Sequence, residues 1–475
     1  MAGIGFELRR LQERGGLLAP IASVGHGAVI AAGPWLGTVL SMVAIQAGMP
    51  DAASRADTYA FRGLVVYAFM ISLVATAPIV YVATRQVADA VYLGRFEQVA
   101  PHFAAALLAS SAACVAAGLV ILRGLLGMDG ADLLVGVAAT GLTGLLWPTL
   151  AFCGAVRNFE AITTGFALGL TAAVVGTIAA AHAGWTAPAR VAAYGAGIVV
   201  TVLWLVGAVL ATFPQPVTGI ARPLRDLVTD AKRFRVLAAG GLLAAAALWA
   251  DKWTIWVAWP GASLPNGLRY APEYDAAMFL AYLFIVPALA LFIVAVETTL
   301  LTRLRGVLAT IREHGTLEEI ESRAGALERD VYAALARIMT VQTCVCALAV
   351  MLAPAFVEVV GLRFSQVGIL RLGIIAALFQ FLFIACATLL LFVERHRAFL
   401  ALQGLFLAFQ VGLTAMFLPF GSDYLGLGHL VACAVSAFAA VAVLDRTLSR
   451  LTFLVFDAAA RPRARPSYAL NGDGR

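Results

Sequence analysis

Asp251 and Lys252 are the residues of this chain best placed to do chemistry within an apolar segment. They lie in the run 248–259, LWADKWTIWVAW, which otherwise carries no charge. An acid and a base inside such a segment are costly to bury, and they mark a functional site by default. Adjacent residues on a helix do not face each other, so we expect each charge to contact another helix or water.

Tryptophans give the same run a second property. Trp249, Trp256 and Trp259 stand three before, four after and seven after Lys252, so a helix places them on its face. Sugar rings stack their apolar faces on aromatic rings, and an ammonium group can bond their hydroxyls. The alternative is a belt of interfacial aromatics, which explains Trp259 better than Trp249. The sugar-pathway hypothesis covers Trp249, Asp251, Lys252, Trp253 and Trp256.

Other polar or aromatic residues in apolar runs are weaker candidates. Glu297 and Arg371 each lie about one turn from the end of an apolar run, where snorkelling toward the interface is the competing explanation. Gln380 lies deeper in the run that contains Arg371. His26 stands between two glycines, where a hydrogen bond to a neighbouring helix competes with a role in transport. Trp35 follows Pro34, which predicts a kink.

Motifs for enzyme chemistry are missing from the sequence. It contains no P-loop, GxSxG or HExxH motif. The six cysteines lie within or at the ends of apolar runs, without a CxxC pair or a Cys/His metal spacing. We therefore expect neither an enzyme nor a bound metal or cofactor.

The composition indicates which solvent surrounds these residues. Apolar residues make up 62% of the 475 and charged residues 13%, about half the roughly 25% charge of a soluble domain. A soluble fold of this size could not bury this amount of apolar side-chain surface without exposing large apolar patches. The chain is predicted to be an all-α, multi-pass membrane protein.

Apolar runs long enough to cross a bilayer number twelve. A helical span needs about 20 apolar residues. The predicted spans are 20–47, 61–84, 102–122, 132–152, 162–183, 190–213, 237–259, 276–302, 333–356, 367–393, 399–419 and 428–448. With both termini in the cytoplasm, the great majority of the 33 Lys and Arg residues fall on the cytoplasmic side, as the positive-inside rule requires. The predicted location is a bacterial inner membrane.

The hydrophilic segments divide the chain. We expect an interfacial helix at 1–16 and a first six-helix bundle at 17–213. A cytoplasmic linker at 214–236 leads to a second bundle at 237–450, which carries a cytoplasmic amphipathic loop at 303–332. The tail 451–475 is predicted to be disordered from 461.

The net charge of +6 is explained by the excess of Lys and Arg on the predicted cytoplasmic side of the membrane. A nucleic-acid partner would require a soluble basic face, and no soluble domain is present to carry one. The expected partner surface is instead the lipid bilayer.

The N-terminal decapeptide MAGIGFELRR resembles the start of the PelG family of Pel exopolysaccharide exporters. The elements Gly33-Pro34-Trp35 and ADKW at 250–253 are also similar to that family. Length and span count agree over essentially the whole chain. The decapeptide is the specific part of the resemblance.

That resemblance implies a member of the polysaccharide transporter branch of the multidrug/oligosaccharidyl-lipid/polysaccharide flippases. It implies two six-helix bundles flanking a central cavity that opens to each side in turn. It also implies export of an N-acetylgalactosamine-rich polymer made by a cytoplasmic glycosyltransferase, beside other Pel inner-membrane subunits. It carries over no site residue.

Two alternative functions remain open. A flippase for lipid-linked oligosaccharides shares this architecture but carries a finite substrate on a lipid. A membrane scaffold would instead recruit the polysaccharide synthase through residues 214–236 and 303–332.

Overall fold

The computed structural model describes residues 37–50, 55–156, 159–258, 264 and 266–460. Within these ranges the regular structure is helical, and long apolar helices account for most of it. The predicted interfacial helix 1–16, His26, Trp35 and the predicted disorder from 461 lie outside the described residues.

The first half of the chain, up to residue 213, forms helices long enough to span a bilayer, apart from its first described helix. These are α1 (Gly37–Ala47), α2 (Arg55–Tyr92), α3 (Val99–Gly118), α4 (Gly130–Val156), α5 (Phe159–His182) and α6 (Ala187–Thr212). A π-helical segment, Leu119–Leu125, extends α3. Helix α7 (Ala221–Arg233) joins the halves, lies within the predicted linker and packs on α2 and α3.

The second half contains shorter and more interrupted helices. They are α8 (Arg235–Ala247), α9 (Ala250–Ala258), α10 (Pro272–Tyr282), α11 (Val286–Ala295), α12 (Leu301–Arg312), α13 (Leu317–Val360), α14 (Val367–Phe392), α15 (His396–Phe417), α16 (Leu427–Leu448) and α17 (Leu451–Ala460). A 3-10 turn joins α10 to α11, and the π-helical segment Val296–Leu300 joins α11 to α12. These three helices thus form one interrupted span, Pro272–Arg312.

The span prediction is confirmed for the part of the chain that the structure describes. Ten helices are long and apolar enough to cross a membrane, and the bent pair α8–α9 brings the total to eleven. The first predicted span, 20–47, is described only over α1. The orientation of the termini stays a prediction.

Glycines allow the closest helix approach in the first half. Helices α5 and α6 cross where Gly169 faces Gly197 and Thr201. A methyl group at Gly197 would lie under 3.0 Å from backbone atoms of Gly169 and Ala173. Membrane helices associate by such backbone contact because lipid supplies little hydrophobic driving force between them.

Helix α2 is the element of the first half that meets the second. It packs along α8, and Tyr81 of α2 lies beside Phe399 of α15 with ring centroids 6.0 Å apart. Near the predicted cytoplasmic end of α2, Arg85 pairs with Glu394, and Gln86 Nε2 donates to Asp230 Oδ2 at 2.7 Å. The two halves are therefore joined by polar bonds as well as apolar packing.

Helix α13 is too long to lie only within a bilayer. Its 44 residues span roughly 66 Å at 1.5 Å per residue, against a hydrocarbon core of about 30 Å. Its N-terminal part packs against α12, where Arg303 and Asp330 form an ion pair at 2.8 Å. The cytoplasmic segment 303–332, for which the sequence suggests one or two amphipathic helices, contains most of α12 and the N-terminal part of α13.

A charged and aromatic cluster at the break in the seventh span

The seventh predicted span is broken in its middle. Helix α8 ends at Ala247, α9 begins at Ala250, and their axes differ by 49°. Residues 246–250 contain neither Pro nor Gly, so tertiary packing sets the bend. The break places Asp251 in the first turn of α9, where free backbone N–H groups favour a negative charge.

Asp251 is fully buried and has polar partners on other helices. Tyr274 of α10 donates its hydroxyl to Asp251 Oδ2 at 2.7 Å. His429 of α16 places Nδ1 3.9 Å from the same oxygen. The expectation that this charge meets groups on other helices is therefore confirmed by geometry.

Lys252 departs in part from the sequence-based expectation. Its ammonium Nζ lies 3.2 Å from Asp251 Oδ2, so the neighbouring charges do pair. The long lysine side chain reaches back to its neighbour although the two Cα–Cβ bonds point in different directions. Lys252 also donates to the hydroxyl of Tyr282 at 3.2 Å.

Two aromatic rings lie beside the ammonium group, one from the predicted Lys252 face and one, Tyr282, that was not predicted. Nζ lies 5.6 Å from the centroid of the Trp249 ring and 4.7 Å from that of Tyr282, within cation–π range. The ring of Trp249 in turn contacts that of Trp256, with centroids 6.3 Å apart. Trp259 lies outside the described residues.

Helices α15 and α16 complete the polar group. Gln410 of α15 places its amide nitrogen 2.8 Å from His429 Nδ1, and the edge of the Tyr282 ring meets the His429 ring. We call this group the seventh-span cluster, and its members are Asp251, Lys252, Tyr274, Tyr282, Gln410 and His429.

A second buried acid lies beside this cluster. Asp275 of α10 is 9% exposed, and its Oδ2 accepts from Trp256 Nε1 at 2.8 Å and from the backbone N–H of Ala271 at 3.0 Å. The ring of Trp256 stacks on that of Tyr67 from α2, with centroids 5.1 Å apart and planes 18° from parallel. Trp256 thus connects an acid of the second half to a helix of the first.

Neighbouring residues reinforce that connection. The indole N–H of Trp253 points to Met70 Sδ at 2.8 Å, and the Tyr67 hydroxyl donates to the backbone carbonyl of Arg269 at 2.9 Å. We call the group Tyr67, Met70, Trp253 and Trp256 the α2–α9 contact. It lies on the side of the cluster away from the predicted cytoplasm.

The structure places two of the weaker candidates, Gln380 and Arg371, apart from this site. Gln380 of α14 is buried within a separate apolar cluster of the second half. Arg371, near the start of α14, is exposed and donates to the Val350 carbonyl at 3.2 Å, as a snorkelling residue would. Glu297 lies in the π-helical segment Val296–Leu300. Neither Gln380 nor Arg371 has a described contact with Asp251 or Lys252.

Sequence reasoning missed four polar members of the site and its neighbouring acid. Tyr274 and Asp275 were assigned to a loop because the eighth span was predicted to begin at 276, whereas α10 begins at Pro272. Pro272 followed by Glu273 and Asp275 is a helix-start signal that could have moved the boundary. Tyr282, Gln410 and His429 lie inside predicted spans, and only their polarity in an apolar run marked Gln410 and His429.

Among the described residues, no group of three or more His, Cys, Asp or Glu side chains is arranged to hold a metal ion. The seventh-span cluster places the Lys252 ammonium beside the rings of Trp249 and Tyr282, and Asp251 and Lys252 are nearly closed to solvent in this conformation.

Solved structures similar to this chain are transporters of the MOP superfamily. An outward-facing multidrug resistance MATE transporter aligns with a TM-score of 0.65 and 15% identity, covering 90% of this chain and 96% of the other. A MOP superfamily transporter from Pyrococcus furiosus aligns with a TM-score of 0.63 and 16% identity, covering 94% and 98%. At such identities the likeness establishes the fold, which is that of a MATE-like membrane transporter.

Sequence comparison identifies the family. No curated protein matches the chain significantly. The sequence model of the family PelG, described as "Putative exopolysaccharide Exporter (EPS-E)", matches residues 1–456. The resemblance carried by the N-terminal decapeptide is thereby confirmed, and the chain belongs to the PelG family of exopolysaccharide exporters.

Proposed function

We propose that this protein moves an exopolysaccharide of the Pel type, rich in N-acetylgalactosamine, from the cytoplasm to the periplasm across a bacterial inner membrane. The family assignment and the MATE-like transporter fold support a membrane transporter. The polymer would pass between two helix bundles, 17–213 and 237–450, as they rearrange.

The observation that carries the proposal is the broken seventh span, with Trp249 at the break and Asp251 and Lys252 in the first turn of α9. Discontinuous helices supply ligand sites near the midplane of transporters, because their free ends present unpaired backbone groups. At this break Lys252 supplies a hydrogen-bond donor and Trp249 an aromatic face. Together they offer the two contacts that a sugar ring requires.

The site is closed in this conformation. Asp251 is 0% exposed and Lys252 is 8% exposed. We infer that a polymer reaches them when α2 separates from α9. Transport would therefore require the α2–α9 contact to open, consistent with a pathway that is exposed to one side at a time.

The test is export by a variant that carries Asp251→Asn and Lys252→Met together. Paired neutralisation avoids leaving one buried charge unbalanced. We expect the double variant to insert normally and to lose polymer export. The matched control is Lys232→Met, which removes an exposed lysine on α7. Normal export by the double variant would exclude the seventh-span cluster from the pathway.

A scaffold function is the second candidate, and the α12–α13 hairpin favours it. This hairpin extends beyond the apolar part of α13 and carries exposed charges of both signs. It could dock the cytoplasmic glycosyltransferase or other Pel subunits. Neutralising exposed charges of 303–332 should then abolish co-purification of those partners, whereas a pure transporter would keep them.

A flippase for lipid-linked oligosaccharides would share the fold. Mass spectrometry of lipids bound to the purified protein separates the two substrates. A lipid-linked sugar retained by the wild type and lost from the Asp251→Asn, Lys252→Met variant would favour the flippase. Free polymer retained in the same manner would favour the exporter.

A further inference from the structure

Two carboxyl groups and one ammonium group are buried together where α9 meets α10. Asp251, Lys252 and Asp275 are 0%, 8% and 9% exposed. Lys252 contacts Asp251 directly and is near enough to act electrostatically on Asp275. With both acids ionised, these three groups would carry one net negative charge away from water. An unbalanced buried charge is costly, and one additional proton would remove it.

The hydrogen bonds indicate which group holds that proton. Asp251 accepts from Tyr274 and Lys252, so its charge is well compensated. Asp275 binds both of its donors through Oδ2 alone. Its Oδ1 is buried and has no hydrogen-bond partner among the described residues. A neutral carboxyl group tolerates such an environment much better than a carboxylate does.

His429 is the other group that could balance the charge, but its contacts favour the neutral ring. The Gln410 amide nitrogen is closer to His429 Nδ1 than the amide oxygen is, at 2.8 Å against 3.2 Å. With the amide N–H as donor, Nδ1 is the acceptor and the imidazole is neutral. The same ring is fully buried, which also disfavours its charged form.

Charged and titratable groups face Asp275 from several elements. On α9 they are Asp251 and Lys252, and on α2 the group is Tyr67. On α10 itself and in the segment before it they are Tyr270, Tyr274 and Tyr282. Two further cations lie nearby, since Arg269 acts on Tyr67 and Arg62 acts on Tyr270. Arg269 donates to the backbone carbonyl of Val257. Lys252 is the described cation that acts on Asp275 itself, and Asp251 already binds it.

We propose that Asp275 is a proton-binding site whose occupancy is linked to the α2–α9 contact. Trp256 makes the link, because its indole N–H bonds Asp275 while its ring stacks on Tyr67. Separation of α2 from α9 would admit water to Asp275 and permit its ionisation. The closed form therefore holds the proton more tightly, and by linkage acid favours the closed form. This inference does not depend on which polymer is carried.

Infrared difference spectroscopy tests the site directly. The full-length protein in lipid nanodiscs would be compared in neutral and alkaline buffer, where surface carboxyl groups are ionised, with exchange into D2O to identify carboxyl bands. We expect the C=O band of a protonated carboxyl group in the wild type and its loss in Asp275→Asn. Glu273→Gln is the matched control on the same helix. It removes an acid that pairs with Arg363 at 2.7 Å at the surface, and it should leave the band in place.

Asp251→Asn provides a second arm with a distinct outcome. It frees Lys252 to balance Asp275, so the band should appear only in more acidic buffer than for the wild type. A wild-type protein without the band, or a band retained by Asp275→Asn, would overturn the proposal. The wild-type spectrum tests for a protonated carboxyl group even where a variant folds poorly.

Hydrogen–deuterium exchange tests the link to the α2–α9 contact. Exchange of backbone amides would be measured in the wild type and in Asp275→Asn at each pH, so that the variant corrects for the intrinsic effect of pH on exchange. We expect the amides of 266–271 and α9 to exchange more slowly in the wild type than in the variant as the buffer becomes more acidic. Trp256→Phe should keep the infrared band but lose this additional pH dependence. Identical pH dependence in the wild type and Asp275→Asn would refute the link.

Discussion

Glu394 accepts a hydrogen bond from Arg85 across the two halves of the molecule, with Oε1 2.9 Å from Nη1. It does so from the left-handed backbone conformation, with φ at 57°, immediately beyond the end of α14. Helices that end this way usually carry glycine there, because a Cβ strains the left-handed conformation. A glutamate at this position combines backbone strain with an ion pair between α14 and α2.

Substitution at Glu394 should separate these two effects. Glu394→Ala loses the ion pair and keeps the strain, whereas Glu394→Gly loses the pair but relieves the strain. We expect the Gly variant to be more stable than the Ala variant by about 1 kcal/mol. The free energy of unfolding in detergent micelles measures this difference. Equal stability would show that the backbone here is unstrained.

The α5–α6 crossing should tolerate no side chain at its centre. We expect Gly197→Ala to force the helices apart and to cost about 1–3 kcal/mol, as overpacking does. Gly207→Ala is the control on the same helix, because a methyl group there meets no atom within 4 Å. It should be neutral or stabilising by up to about 1 kcal/mol. Thermal unfolding of both variants, measured in the same detergent, provides the comparison.

Single and paired neutralisation of the seventh-span cluster should differ. Lys252→Met alone leaves Asp251 buried without its cation and should destabilise the protein by about 3–5 kcal/mol. Adding Asp251→Asn removes the uncompensated charge and should restore most of the loss. Chemical unfolding of the wild type, Lys252→Met and the double variant measures these differences in stability. A double variant less stable than Lys252→Met would contradict the assigned ion pair.

The stack of Trp256 on Tyr67 should be measurable as a coupling energy. We expect a double-mutant cycle of Tyr67→Leu and Trp256→Leu to give about 0.5–1.5 kcal/mol. Pairing Tyr67→Leu with Trp204→Leu serves as the control, since Trp204 is an exposed residue of α6. That second cycle should give a coupling near zero.

The N-terminus of α13 should depend on its capping residues. Glu319 N–H donates to Thr316 Oγ1 at 3.2 Å, and the Thr316 N–H donates to Glu319 Oε2 at 3.0 Å. Removing the cap with Thr316→Ala should cost about 1 kcal/mol locally. Hydrogen exchange in the first turn of α13 should accelerate several-fold, while exchange in α14 stays unchanged. Unaltered exchange in α13 would mean that contacts with α12 alone hold the hairpin.

Much of the fold could be read from local composition. Apolar runs predicted the spans from residue 61 onward, because a helix in lipid must satisfy its backbone internally and present apolar side chains along some 20 residues. The acid and base of the seventh span were found in the same way, since charge in such a run is conspicuous. The N-terminal decapeptide indicated the family.

Details that depend on contacts between distant segments could not be read from the sequence. The residues at the bend between α8 and α9 include no Pro or Gly that would have predicted it. Pairing of Lys252 with Asp251 depends on a side-chain conformation rather than on helical spacing. The eighth span was predicted at 276–302, with a kink or tilt allowed, whereas the interrupted path from α10 to α12 runs over Pro272–Arg312.

What the sequence determined by itself is the class of molecule, its spans and the presence of charges inside the seventh. Each follows from the free energy of placing particular side chains in lipid, which local composition expresses. The tertiary structure decided which groups those charges meet. Tyr274, Asp275 and His429 are 23 or more residues away from Asp251 along the chain, and only packing of α9 against α10 and α16 brings them together.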